Sequence, residues 1–259
     1  MKPGSKSLRL LVESGKGKDR KPEPVKRFRV EAGEVLAVVG PTGSGKTRLL
    51  ADIERLAQGD SPSGRHVRLE GADAAGLPPE ALVARLSQAM GFYLDASVGE
   101  FLRLHAEHRE RANPEALAAE AIEAANGLVG EPFTGDVPLA LLSGGQARAL
   151  MVADVVLVSA CPVVLIDELE NAGIDRLRAL EFLLAHRVIA LVATHDPLIA
   201  LRADRRLVMA GGAVRAVIRR SAAEAGLLRH LEIDHTRTED LKDRLRRGAP
   251  LAAARRKKA

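Results

Sequence analysis

Four short apolar runs recur along the chain: "VLAVVG" at 35–40, "VVLID" at 163–167, "VIALVATH" at 188–195 and "RLVMAGG" at 206–212. Each is rich in Val, Ile and Leu and ends at Gly or a polar residue. Continuous rather than alternating apolarity predicts strands buried on both faces, as in a parallel sheet. Between them, "TRLLADIERLAQ" (47–58), "GGQARALMVADVVLVSA" (144–160) and "RLRALEFLLAHR" (176–187) carry apolar positions three and four apart. These predict crossover helices, so the alternation predicts an α/β sheet. The shorter pieces "LRLLVE", "KRFRVEAGE" and "RHVRLEG" flank the first run. They suggest a small antiparallel sheet at its edge.

Residues 80–140 have a different pattern, apolar at helical spacing with no run of the buried-strand type, and are expected to form an inserted helical subdomain (about 80–143). After Gly212 the pattern turns helical and basic. The expected division is an α/β domain over 1–215 and a basic helical extension over 216–259.

Composition changes this picture little. At 259 residues and 46% apolar content the chain can bury a large core. The net charge of +5 concentrates in "KGKDRK" and in the C-terminal "KDRLRRGAPLAAARRKKA". That suits an anionic partner, although solubility explains it equally well. Terminal "RRKKA" reads as a solvated tail, with nucleic acid or acidic lipid as alternatives. One cysteine, Cys161, excludes a disulfide framework or four-cysteine zinc module and reads as core. His105 and His108 share a helix face but have no third metal ligand nearby. Apolar stretches reach about six residues against the roughly twenty a membrane span needs, and there is no signal-type apolar region. The chain is therefore expected to be cytoplasmic, reaching the inner face of a membrane only through a partner.

The candidate chemistry starts at "GPTGSGKT", which fits G-x-x-x-x-G-K-[ST] between a strand and a helix. Glycines let successive N–H groups curl inward toward phosphate oxygens, and the helix N-terminus adds positive potential. Gly40, Pro41, Thr42, Gly43, Ser44, Gly45, Lys46, Thr47 and Arg48 are the expected nucleotide-binding residues. Lys46 is expected to reach the β and γ phosphates and Thr47 to ligate Mg²⁺. "VVLIDE" ends in two carboxylates, with Asp167 expected on Mg²⁺ and Glu168 as general base. "LLSGGQ" opens a helix with Ser143 as cap, so that Gly144, Gly145 and Gln146 offer a second anion site.

With these residues the sequence resembles the ATP-binding cassette (ABC) ATPases, whose signature is LSGGQ. The resemblance covers about residues 7–215 and extends to Gln88 in the Q-loop position, Asp175 in the D-loop position and His195 as switch histidine. It implies a P-loop NTPase fold with a RecA-like parallel core, a small antiparallel edge and a helical insertion. It also implies ATP and Mg²⁺ held between two cassettes paired head to tail. There the Ser143 and Gly145 region of one subunit closes over the γ-phosphate held by Lys46 of the other. Glu168 polarises the attacking water, His195 contacts the γ-phosphate, and Gln88 senses the metal.

The sequence departs from the family pattern at several points. No Tyr or Trp precedes the phosphate loop to stack on adenine, and Phe28 reads as an inward strand residue. Leu169 stands where the family has Pro, and Asp175 lies seven residues after Glu168 instead of six. Glu170 is either a solvated loop charge or a contact across the dimer. Two functions stay open: the nucleotide-binding subunit of a transporter, with a membrane permease as partner, or an ATPase remodelling a protein client such as a metalloenzyme or corrinoid enzyme. Nucleic acid is not expected as the partner.

Overall fold

The computed structural model describes residues 8–71, 77–87, 91–92, 94–168 and 173–249. Two compact units divide between Arg219 and Arg220.

The first unit holds two sheets. Strands β1 (Arg9–Glu13), β2 (Arg27–Glu31) and β4 (His66–Glu70) form an antiparallel sheet of order β2-β1-β4. Leu10, Val12, Phe28, Val30 and Val67 point into the core, and the alternate face carries Arg9, Arg27, Arg29 and Arg68. Period-two alternation gives this sheet one wet face. Phe28 is 7% exposed, the inward strand residue expected from the sequence.

Strands β3 (Val35–Val39), β5 (Val83–Leu86), β6 (Val163–Asp167), β7 (Ile189–Ala193), β8 (Arg205–Ala210) and β9 (Ala213–Arg219) form the main sheet, ordered β5-β6-β7-β3-β8-β9. All neighbours are parallel except the β8–β9 hairpin. The four apolar runs are β3, β6, β7 and β8, and the registers pair Val38 with Ala193 and Asp167 with Ala193. Gly40, Glu168 and Thr194 therefore leave the sheet together at the carboxyl ends of three neighbouring strands.

Two elements differ from expectation. Val83–Leu86 is an edge strand of the main sheet, where only helix was expected; four residues with an internal Arg85 are too short and too polar to show the buried-strand pattern. Ala213–Arg219 is a strand paired with β8, where the pattern after Gly212 had suggested helix. Arg215 and Arg219 are exposed on this edge strand, which reads as basic rather than as half-buried.

Helix α1 (Lys46–Glu54) packs beneath the sheet, after which come the single turn α2 (Pro79–Leu82), α3 (Val98–His108) and α4 (Pro114–Asn126). Helices α5 (Gly144–Ala153), α6 (Arg176–Ala185) and α7 (Pro197–Arg202) complete the first unit. Ser97 caps α3, and Val98, Leu102 and Ala106 bury the stripe that meets Ala118, Ala121 and Ala125 of α4. Small alanines permit this close helix approach. Helix α5 runs on into a π turn over Asp154–Val158, where Asp154 Oδ1 meets His105 Nδ1 at 2.7 Å. His105 is thus paired with a carboxylate of the core. Cys161 is buried, and burial pushes its thiol pKa up.

The second unit contains α8 (Ala222–Arg246), a 25-residue helix with Leu227, Ile233, Leu241 and Leu245 exposed. The basic tail from residue 250 on lies outside the described residues.

Candidate active site

The loop after β3 is shaped by backbone geometry. Gly45 has φ +103°, a left-handed value that suits glycine. A Cβ placed there would lie 2.8 Å from Gly212 Cα, because the phosphate loop packs on the β8–β9 turn. Gly212 N donates to Ser44 O at 2.8 Å and fastens the two. Helix α1 starts without a side-chain cap and has no acidic residue in its first turn. Its first N–H groups and the positive end of its dipole are therefore left for an anion. Pro41, Thr42 and Gly43 are exposed at the rim, and Thr47 and Arg48 are exposed on the first turn of α1. Ser44 is buried, with an Oγ that has no hydrogen-bond partner among the described residues.

Lys46 is 7% exposed, and its ammonium sits 2.8 Å from Gly40 O, 3.4 Å from Pro41 O and 3.0 Å from His195 Nε2. An ammonium only donates, so this geometry directs the Nε2 lone pair of His195 at it. Its donors rest on two carbonyl oxygens and an imidazole nitrogen. A phosphate is a stronger, charged acceptor for the same donors. Lys46 and His195, 149 positions apart, thus meet at one point.

Asp167 ends β6, and Glu168 follows with φ +59°, an unusual value for a non-glycine residue that clusters at functional sites. Glu168 N is held by Ala193 O at 3.0 Å, which fixes where this turn leaves the sheet. Gln88, the residue expected to sense the metal, lies outside the described residues, as does Glu170.

Ser143 caps α5 in a reciprocal box: Gln146 N donates to Ser143 Oγ at 3.3 Å, and Ser143 N donates to Gln146 Oε1 at 2.9 Å. Ser143 and Gly144 are exposed, as is Leu141 just before them. A Cβ on Gly145 would come within 2.6 Å of Gly173 O, so the signature turn abuts the loop after Glu168. Asp175 caps α6 by accepting from Leu177 N and Arg178 N.

Two cations of the site were not singled out from the sequence. Lys18 Nζ donates to Gly43 O at 2.9 Å, which turns the "KGKDRK" cluster toward the phosphate loop. Arg85 Nη2 lies 3.1 Å from Asp167 Oδ2, and its Nη1 lies 3.2 Å from Glu54 Oε2. The signal for Arg85 was a charge inside a short apolar strand.

A glycine-rich loop between β3 and α1 of a mostly parallel sheet, with carboxylates and a histidine at the strand ends beside it, is an arrangement suited to a nucleotide in an α/β domain. The comparisons narrow this class. The profile of the family described as "ABC transporter" matches residues 26–171. An uncharacterised ABC transporter ATP-binding protein of Methanocaldococcus jannaschii is 45% identical over 231 residues, covering 87% of this chain and 88% of its own. Among solved structures, cbiO1 from Clostridium perfringens, part of the ABC transporter complex cbiONQ, superposes with TM-score 0.62 at 21% identity, over 92% of this chain and 100% of its own. The cassette MJ0796, solved as a dimer bound to ADP and Pi, gives 0.59 at 19% identity, over 83% of this chain and 99% of its own. At those identities the two structures speak for the fold alone. The chain belongs to the ABC transporter family of ATP-binding proteins and is an ATPase.

Proposed function

We propose that this chain is the nucleotide-binding subunit of an ABC transporter, holding Mg-ATP between two cassettes and coupling its hydrolysis to a membrane permease. The observation that carries the reading is the meeting of Lys46 and His195 at the mouth of an uncapped helix, beside the strand end that bears Asp167 and Glu168. The 45% identical relative, named as an ABC transporter ATP-binding protein, supports the coupling to transport. Among the described residues no helix is long and apolar enough to cross a membrane, so the reading assigns translocation to a partner.

In this reading the phosphates of ATP take over the Lys46 ammonium from the carbonyls of Gly40 and Pro41. The N–H groups at residues 43–48 wrap the β-phosphate. Thr47 and Asp167 offer a hydroxyl and a carboxylate, hard oxygen donors that suit Mg²⁺; when bound, Mg²⁺ supplies charge neutralisation on the β and γ phosphates. Glu168 accepts a proton from water while the water oxygen bonds to the γ-phosphorus. The bond from that phosphorus to the bridging oxygen breaks, leaving ADP and phosphate. Lys46 holds the γ-phosphate oxygens, and His195, in the tautomer that carries its proton on Nε2, donates to them.

The exposed α5 start supports the paired state. Gly144 is exposed and the first turn carries no acidic residue, so the helix start offers a second anion site suited to the γ-phosphate held by a facing cassette. The test is recovery of tagged Glu168→Gln protein from its native host in gentle detergent with ATP and Mg²⁺. A polytopic membrane protein in the complex supports a transporter motor. A soluble enzyme, with nothing from the membrane, replaces the reading with a remodelling ATPase.

A further inference from the structure

Arg85 projects from β5 on the face that α1 covers. The register sets it beside Leu165, and its side chain reaches forward to Asp167 at the end of β6. Its guanidinium is divided between Asp167 and Glu54, the last residue of α1. Arg85 and Asp167 are 17% and 16% exposed, so this contact is largely shielded, whereas Glu54 at 41% stands in solvent. Arg85 Nε is buried and has no hydrogen-bond partner among the described residues. An unpartnered buried donor on a guanidinium is costly, and a fork shared by two carboxylates on separate elements is poorly satisfied. The arrangement favours a side chain with two states, one on Asp167 and one drawn to Glu54.

We propose that Arg85 is a positioning residue that sets the divalent-cation requirement of nucleotide binding, serving as the counterion of Asp167 until a cation arrives and then shifting toward Glu54. The inference rests on the reading that Asp167 holds the cation. Its physical basis is charge competition. A unit charge roughly 6 Å from a divalent ion changes the ion's affinity about tenfold even at the dielectric of bulk water, and more in a shielded site. Glu54 offsets part of this by drawing the guanidinium away.

The test is a titration of Mn²⁺ into the full chain held in excess over β,γ-imido-ATP, so that little nucleotide is free to chelate the ion, with free Mn²⁺ read by electron paramagnetic resonance, so that no turnover is needed. Arg85→Gln is expected to lower the Mn²⁺ concentration for half-occupancy about tenfold. Glu54→Gln is expected to raise it several-fold, because the guanidinium then stays on Asp167. Arg85→Lys keeps the charge while losing the fork, and is expected to shift the requirement less than Arg85→Gln does. A merely structural Arg85 gives the opposite sign for Arg85→Gln, since a disordered site binds Mn²⁺ more weakly. An unchanged or raised requirement in Arg85→Gln overturns the proposal, provided that cation-free nucleotide affinity shows the variant folded; if it is lost, the Glu54→Gln shift decides. Asp167→Asn separates the two levels. If it removes nucleotide-dependent Mn²⁺ binding while Arg85→Gln shifts nothing, only the role of Arg85 fails. If it leaves Mn²⁺ binding intact, the assignment of Asp167 fails and this inference with it.

Discussion

Replacing Arg65 by Met tests how the phosphate loop is anchored. Arg65 is fully buried beneath the loop. Its Nη2 meets Glu23 Oε1 at 2.6 Å and Gly212 O at 2.8 Å, and its Nη1 meets Asp52 Oδ2 at 2.8 Å. Glu23 and Asp52 are 2% and 0% exposed, so one guanidinium compensates two carboxylates out of water. Gly15 N and Val214 N also donate to Glu23, and Ser63 Oγ donates to Asp52. Burial pushes the Glu23 carboxyl up, but the Arg65 contact and the backbone donors outweigh it and hold its pKa below the ordinary carboxylate range. Removing one partner of a buried ionic group costs about 3–5 kcal/mol, because the remaining charge is left uncompensated. Arg65→Met is expected to lose that much in urea unfolding at neutral pH.

The pH dependence carries a sign. A lowered folded-state pKa stabilises the intact protein above the unfolded carboxylate value, and that stability is lost as pH falls through the folded value. In the variant, Glu23 lacks its cation and binds a proton more readily in the folded state. The stability gap between the two proteins therefore narrows as pH falls from 7 toward 4. Adding Glu23→Gln to Arg65→Met is expected to recover part of the loss, as coupled neighbours do. A loss below about 1 kcal/mol, or a gap that stays constant with pH, refutes the counterion role.

Other variants probe the site itself. Lys46→Ala is expected to abolish ATP binding, and normal affinity by calorimetry contradicts the phosphate-loop assignment. Gly45→Ala forces a side chain into left-handed backbone 2.8 Å from Gly212 Cα, for a cost of about 2–4 kcal/mol in denaturant unfolding with weakened nucleotide binding. Ser143→Ala removes the α5 cap, costing about 1 kcal/mol of stability. ATP binding to the isolated chain is expected to persist while turnover falls, and full turnover removes the signature turn from the reaction.

The parallel core was legible because its buried strands are continuous in sequence, and the glycine-rich turn between β3 and α1 because it lies in eight successive residues. The signature turn was legible for the same reason: Ser143 and Gln146 cap each other locally. What the sequence hid depends on pairing at a distance. Val83–Leu86 has too few residues and too polar a centre to declare itself as a strand without β6 beside it. Arg85 and Asp167 are 82 positions apart, and Lys18 and Gly43 are 25 apart, so neither contact leaves a local trace. The Glu23, Asp52 and Arg65 cluster likewise reads as three ordinary surface charges until the fold removes them from water.

In the proposed working state two copies, or a copy and a similar cassette, close over ATP. The most direct test of this closure is the mass of Glu168→Gln protein by light scattering with and without ATP and Mg²⁺, with bound nucleotide quantified. Closure over ATP gives twice the chain mass with ATP, one nucleotide per chain, and return to the single chain mass when Lys46→Ala is added. Glu168→Gln protein that binds ATP fully and keeps the mass of a single chain contradicts a site closed by a second copy.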